Sequence, residues 1–187
     1  ALFADDTPVK LLVPGTGRTK TARLWVYVGG CGPPLRVFRF TPDRRGEHPQ
    51  TLLKDYAGFV HADAYSGFDK LFATNREAIE VGCWAHVRRK FDEAKGSSAR
   101  HAGEVLADIA CLYRIEKEVR GKDPAERLER RQREALPLLD ALYAKLETLR
   151  PDTLPSLPLG TAITYAINQR EALYRYTTDG RLEIDNN

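Results

Sequence analysis

Asp63 closes a short apolar run in the segment GFVHADAYSGFDKLF, and a second pair, Asp5-Asp6, closes another at the start of the chain. Two carboxylates at strand exits, far apart in sequence, are the first requirement of a two-metal phosphoryl-transfer site, because their hard oxygens suit magnesium or manganese. A plainer reading of the same residues is turn chemistry, in which a short Asp side chain bonds its own backbone. Residue type alone leaves both open.

Other reactive groups carry less. Cys31, Cys83 and Cys111 are odd in number and without paired spacing, which argues against a disulfide framework and for reduced thiols. Cys83 and His86 form a C-x-x-H pair with no second pair to complete a zinc site, so Cys83 reads as a buried thiol on a strand. The stretch GTGRTK at Gly15–Lys20 lacks phosphate-loop spacing and has no helix after it, which leaves a basic hairpin tip. Basic residues cluster at Arg18, Lys20 and Arg23, at Arg88, Arg89 and Lys90, and at Arg127, Arg130, Arg131 and Arg133. Such clusters suit phosphate contact; for the last, ion pairing with Glu126, Glu129 and Glu134 on solvated faces is the stronger reading.

The elements that position these groups follow from 187 residues, enough for one domain with an insertion and a real core. With 42% hydrophobic and 29% charged residues the chain falls outside the disordered and collagen-like classes. No apolar run reaches membrane-spanning length, and the start carries no secretory signal, so a cytoplasmic protein is expected. Leu24–Val28 and Leu35–Phe40 read as an antiparallel hairpin around Gly29–Pro34, with Val9–Val13 upstream and a turn at Pro14–Gly17. A short helix over Pro49–Tyr56, strands over Phe59–Ala62 and Ala78–Trp84, and a helix over Ala85–Lys95 complete a mixed α/β order.

From Ala102 the pattern becomes helical: Ala102–Arg120, then a helix of about 25 residues begun by the Asp123 cap, Pro124 and a capping-box Glu126, and kinked at Pro137. A proline-rich linker over 150–158 precedes a helix over Gly160–Tyr176.

Three segments together resemble the DDE transposases of the insertion-sequence sixty-six type, found in bacterial mobile elements: ADDTPVKLLVPGTGRTKTARLWVYV; DRRGEHPQTLLKDYAGFVHADAYSGFDKLF with GCWAHVRRKF; and the closing DGRLEIDNN. The resemblance implies an α/β, ribonuclease-H-like mixed sheet flanked by helices, with a helical insertion. On that pattern residues 1–98 form the core, 99–160 the inserted helical hairpin, and 161–187 a late helix returning to the core.

Asp5 matches the family's first catalytic and metal-binding carboxylate, and Asp63 the second. Asp6 stands where a Glu is expected and, on a continuing strand, faces the other way. The third acidic residue of relatives follows the IDNN motif on a helix not contained in this sequence, and Glu183 comes too early to be it. The implied chemistry is phosphodiester hydrolysis and strand transfer in DNA, with two Mg2+ or Mn2+ ions roughly 3.5–4 Å apart in the complete site. Two aspartates hold one ion weakly, so the chain alone is expected to be inactive or nearly so.

Implied partners are transposon-end and target DNA and further copies of the chain, with no membrane and with association with the bacterial nucleoid. Arg18 and Lys20, with His86, Arg88 and Arg89, are the candidate DNA contacts; for the last three a capped, solvent-facing helix start is an equal reading. A non-catalytic remnant that binds DNA or a transposase, and another ribonuclease-H-like nuclease, are the alternatives.

Overall fold

A computed structural model describes residues 1–30 and 35–186. Cys31, residues 31–34 of the expected turn, and Asn187 lie outside the described residues. The chain forms two compact units, Ala1–Val81 with Asn186, and Gly82–Asp185; the boundary falls inside the segment 1–98.

The first unit is built on a five-stranded mixed sheet. Strands β1 (Leu2–Val13), β2 (Arg18–Gly29) and β3 (Arg36–Thr41) are antiparallel, and β4 (Gly58–His61) and β5 (Ala78–Val81) run parallel to β1, in the order β3-β2-β1-β4-β5. Helices α1 (Glu47–Leu53) and α2 (Asp69–Thr74) connect the later strands. Partners across an antiparallel ladder share a face, so Ala4 with Tyr27 and Asp6 with Trp25 lie on one side. That side holds the core, where Ala4, Trp25, Tyr27, Val60 and Ala62 pack with Leu53, Phe68 and Leu71. On the other side Phe38 and Phe40 of β3 are exposed.

β1 differs from its expected form. The expected strand Val9–Val13 is the far end of a longer one that starts at Leu2 and passes through Pro8 unbroken, and β4 pairs with it at Leu2 and Phe3. Beyond Phe3 that edge of β1 has no ladder to lose among the described residues, and proline is tolerated there.

The second unit is helical: α3 (Trp84–Ala94), α4 (Ala99–Val119), α5 (Pro124–Arg130), α6 (Leu136–Leu149), α7 (Pro158–Asn168) and α8 (Arg170–Tyr174). Strand β5 stops at Val81, short of the expected Trp84, and Cys83 is a buried thiol at the start of α3 and not on a strand. Trp84, Val87, Phe91 and Ala94 form the buried stripe of α3, and the Trp84 indole donates to the Leu173 carbonyl at 3.0 Å.

Asp123 caps α5 through the Ala125 N–H at 2.8 Å, but Glu126 takes Lys122 at 2.9 Å in place of the expected capping box. The break at Pro137 is absorbed upstream by a π-helical turn over Arg131–Ala135, because proline has no N–H and its ring crowds the preceding turn. The late helix is interrupted at Gln169 between α7 and α8. Among the described residues no helix is long and apolar enough to cross a membrane.

Tight burial of this helical unit has a measurable consequence. Desolvation first, and then the Asp140 carboxylate that accepts its O–H at 3.0 Å, pushes the Tyr174 phenol up to about 12. Burial likewise raises Tyr113, Tyr143 and Tyr176 here and Tyr27 in the sheet. A phenol raised in the folded state adds stability fully present below its unfolded value near 10 and lost as pH rises through the folded value. In an alkaline titration followed at 295 nm, Tyr174→Phe should remove a component centred near pH 12. A single transition of all tyrosines near pH 10 in the folded protein would contradict this packing.

Candidate metal centre

The parallel pairing of β1 with β4 sets the level of the two sequence-predicted carboxylates. The last paired residues are Phe3 and His61, whose rings stack at 4.4 Å, and Asp5 and Asp63 each lie two residues further along their own chains. Asp5 is therefore not at a strand exit, as the sequence suggested, but within β1 just past the end of its parallel ladder. Asp63 lies beyond β4, where the chain turns through Ala64 at φ 57°, a left-handed conformation that ends the strand.

The two aspartates at positions 5 and 6 have opposite surroundings. Asp5 is exposed and accepts the Asp6 N–H at 2.7 Å. The Asp6 side chain is 3% exposed on the core face, gripped by Arg23 at 3.0 Å and by Arg44 at 2.8 Å. Arg44 also reaches Asp63 at 3.3 Å, so the structure joins Asp6 to Asp63 through one guanidinium. Its plane lies 3.9 Å over the Tyr65 ring, and the Tyr65 hydroxyl donates to the Arg44 carbonyl. Partial burial pulls the Arg44 pKa down, but the bond to Asp6 and the charges of Asp6 and Asp63 outweigh it and the net shift is upward. Asp63 in addition accepts the Tyr65 N–H at 3.2 Å, the turn chemistry its sequence setting suggested.

Arg44 is the functional-looking residue that the sequence reading missed. Its only local signal is the Arg-Arg-Gly stretch after β3, and its partners Asp6 and Asp63 are 38 and 19 residues away.

These donors partly fit a divalent cation. Asp5 and Asp63 offer hard oxygens at one level of adjacent strands, the ligand type magnesium and manganese take. Against that, Asp63 already holds a guanidinium, and among the described residues no group of three His, Cys, Asp or Glu side chains is placed to bind a metal.

The other predicted residues fall in separate places. Arg18 and Lys20 are exposed on β2 near the β1–β2 turn of the first unit. His86 is half-buried and Arg88 and Arg89 exposed on α3 of the second unit, so the two arginines face away from its buried stripe. Tyr65 carries Arg44, and Trp84 is fully buried, so both serve packing.

The arginine-rich cluster of the second unit divides: Arg130 and Arg133 pair with Glu134 and Glu129 at partly exposed positions, as expected, whereas the Arg127 and Arg131 side chains are 12% and 0% exposed. Arg131 is fully buried and spends all five N–H donors: two on Glu116 at 2.8 and 2.7 Å and three on the carbonyls of Tyr176, Asp179 and Leu182. Arg127 holds Glu183 through two bonds, at 2.9 and 2.8 Å.

Comparison with known proteins places this arrangement in a family setting. The pattern of the family described as "Transposase IS66 family" matches residues 1–187. Three proteins of Sinorhizobium fredii (strain NBRC 101917 / NGR234) match the whole chain: uncharacterized protein y4qI at 36% identity, y4hP at 30% and y4jD at 30%. The chain spans 37%, 37% and 39% of their lengths. No solved structure matches.

Proposed function

The chain belongs to the Transposase IS66 family, and from that premise we propose that its first unit supplies two carboxylates, Asp5 and Asp63, to a metal-dependent phosphoryl-transfer site acting on DNA. The observation that carries this reading is positional: both aspartates lie two residues past the last pair of the β1–β4 ladder. The strand order β3-β2-β1-β4-β5, three antiparallel strands followed by two parallel ones, supports a ribonuclease-H-like core for that unit. DNA is the partner, with the chain acting as an oligomer on it in association with the nucleoid.

The family chemistry calls for magnesium or manganese, which when bound would stabilise negative charge on a reacting phosphate. Asp5 and Asp63 would hold the ion. Arg44 orients the Asp63 carboxylate, and its positive charge lies between Asp63 and Asp6, on the other face of β1 from Asp5, offsetting their repulsion. Arg18, Lys20, Arg88 and Arg89 have the charge and exposure to meet phosphates, with His86 beside the last two. Two carboxylates give one weak site, so these residues by themselves should bind an ion without cleaving DNA.

Ferrous iron tests the location, because with ascorbate and peroxide a bound Fe2+ releases hydroxyl radicals that cut nearby backbone. Cuts clustered around residues 5 and 63, suppressed by excess Mg2+, are expected. Cuts spread evenly, or unaffected by Mg2+, would contradict a metal held by this pair.

A further inference from the structure

We propose that the outer half of the β1–β2 hairpin, Pro8–Arg23, is an arm that lies in a groove of duplex DNA. This rests on the DNA-directed reading above and extends it to a part of the molecule away from the carboxylates. Three observations converge on it.

The first is shape. β2 pairs with β3 only from Arg23 to Val28, and β1 with β4 only at Leu2 and Phe3, whereas β1 and β2 pair with each other out to Val13 and Arg18. From Pro8 to Val13 and from Arg18 to Ala22 the hairpin is thus a two-stranded ribbon with no third strand paired to it among the described residues, buried at its base at Ala22. Six residues at about 3.3 Å each extend it by roughly 20 Å, and two strands about 4.8 Å apart fit a major groove about 12 Å wide.

The second is charge. The segment Pro8–Arg23 contains Lys10, Arg18, Lys20 and Arg23 and no Asp or Glu. Lys10, Arg18 and Lys20 are exposed, while Arg23 is committed to Asp6. The third is the distribution of that charge over both faces. Lys10 pairs with Thr21 across the ladder and so lies on one face, while Lys20 opposite Leu11 and Arg18 opposite Val13 lie on the other. A flat surface would meet only one of these faces, whereas a groove meets both, with phosphates on either wall.

The tip is built to hold this form. Gly15 and Gly17 adopt φ of 76° and 62°, which only glycine takes without strain. The Thr16 hydroxyl donates to the Val13 carbonyl at 2.9 Å and accepts the Arg18 N–H at 3.2 Å, fixing the turn at the base of the arginine.

Binding of a fluorescein-labelled 20-base-pair duplex, followed by anisotropy across a salt series, tests the arm. The wild-type chain should bind duplex more tightly than a single strand of the same length. Changing Lys10, Arg18 and Lys20 together to Gln should lower the slope of log affinity against log salt by about 2 to 3, at near 0.9 per lost phosphate contact. Affinity at 0.1 M salt should fall roughly tenfold or more. A charge-matched K54Q/K70Q/R76Q chain, altered around α1 and α2, should keep the wild-type slope. All three ribbon positions are exposed, and unchanged thermal melting confirms that the variant folds. An unchanged slope in the triple variant, equal loss in the charge-matched control, no preference for duplex, or no duplex binding by the wild type would each overturn the arm. If the three cations serve only to blunt an open strand edge, the triple variant will self-associate while its DNA affinity stays as before, which also overturns it. Metal binding at Asp5 and Asp63 is measured without DNA, so failure of the arm and failure of the carboxylate site are told apart.

Discussion

Arg131→Ala should destabilise the chain by about 3–5 kcal/mol, read as a lowered urea midpoint, because it breaks a buried ion pair and removes one donor from each of three carbonyls, leaving that of Tyr176 without its partner. The pair is fully desolvated on the arginine side, and Glu116 is 7% exposed. After the substitution the cation left beside Glu116 among the described residues is Arg127, at 3.7 Å and outside hydrogen-bonding range. A double change to apolar residues, Arg131→Met with Glu116→Leu, removes the stranded charge and should recover part of the loss. Full recovery is not expected, since the Tyr176 carbonyl loses its donor, while the Asp179 and Leu182 carbonyls keep one each, from the Leu182 N–H at 3.1 Å and from Arg127 at 3.1 Å. A loss below about 1 kcal/mol for Arg131→Ala, the size of an exposed pair, would show that this cluster is a solvated surface.

That result bears on how much of the molecule is legible in the chain. Period-two and period-3.6 patterns located β3, β4, β5, α3 and α4 to within a few residues, whereas β1 and β2 begin well before the expected Val9 and Leu24, at Leu2 and Arg18; Asp123-Pro124 marked the start of α5 correctly. These signals are local. Arg131 looked like one more surface arginine because its partners lie 15 to 51 residues away. The π-helical turn before Pro137 was hidden because the pattern marks the proline, whereas the backbone adjusts in the turn before it. β1 began earlier than Val9 because whether Pro8 interrupts a strand depends on whether a neighbour needs its N–H. The separate fates of Asp5 and Asp6 followed from alternation, but the Arg44 clamp, contributed by the stretch after β3, did not.

Those fates give the second large effect. Asp6→Ala should cost about 2–3 kcal/mol, somewhat less than a fully buried pair because Arg23 and Arg44 keep partial solvent contact, at 23% and 34%. It should leave metal affinity within about twofold. Asp5→Asn, at an exposed position, should change stability by no more than about 0.5 kcal/mol. The neighbouring aspartates are thus separated by what each substitution damages, one the fold and the other the ion.

The most direct measurement is therefore a Mn2+ titration of the DNA-free chain, counting free ion by its paramagnetic resonance signal, with Asp5→Asn, Asp6→Asn and Asp63→Asn beside the wild type. One weak site in the wild type and in Asp6→Asn, lost at least tenfold in both Asp5→Asn and Asp63→Asn, is the predicted result. Binding that survives in Asp5→Asn and Asp63→Asn alike, or that is lost only in Asp6→Asn, would contradict a metal site formed by Asp5 and Asp63.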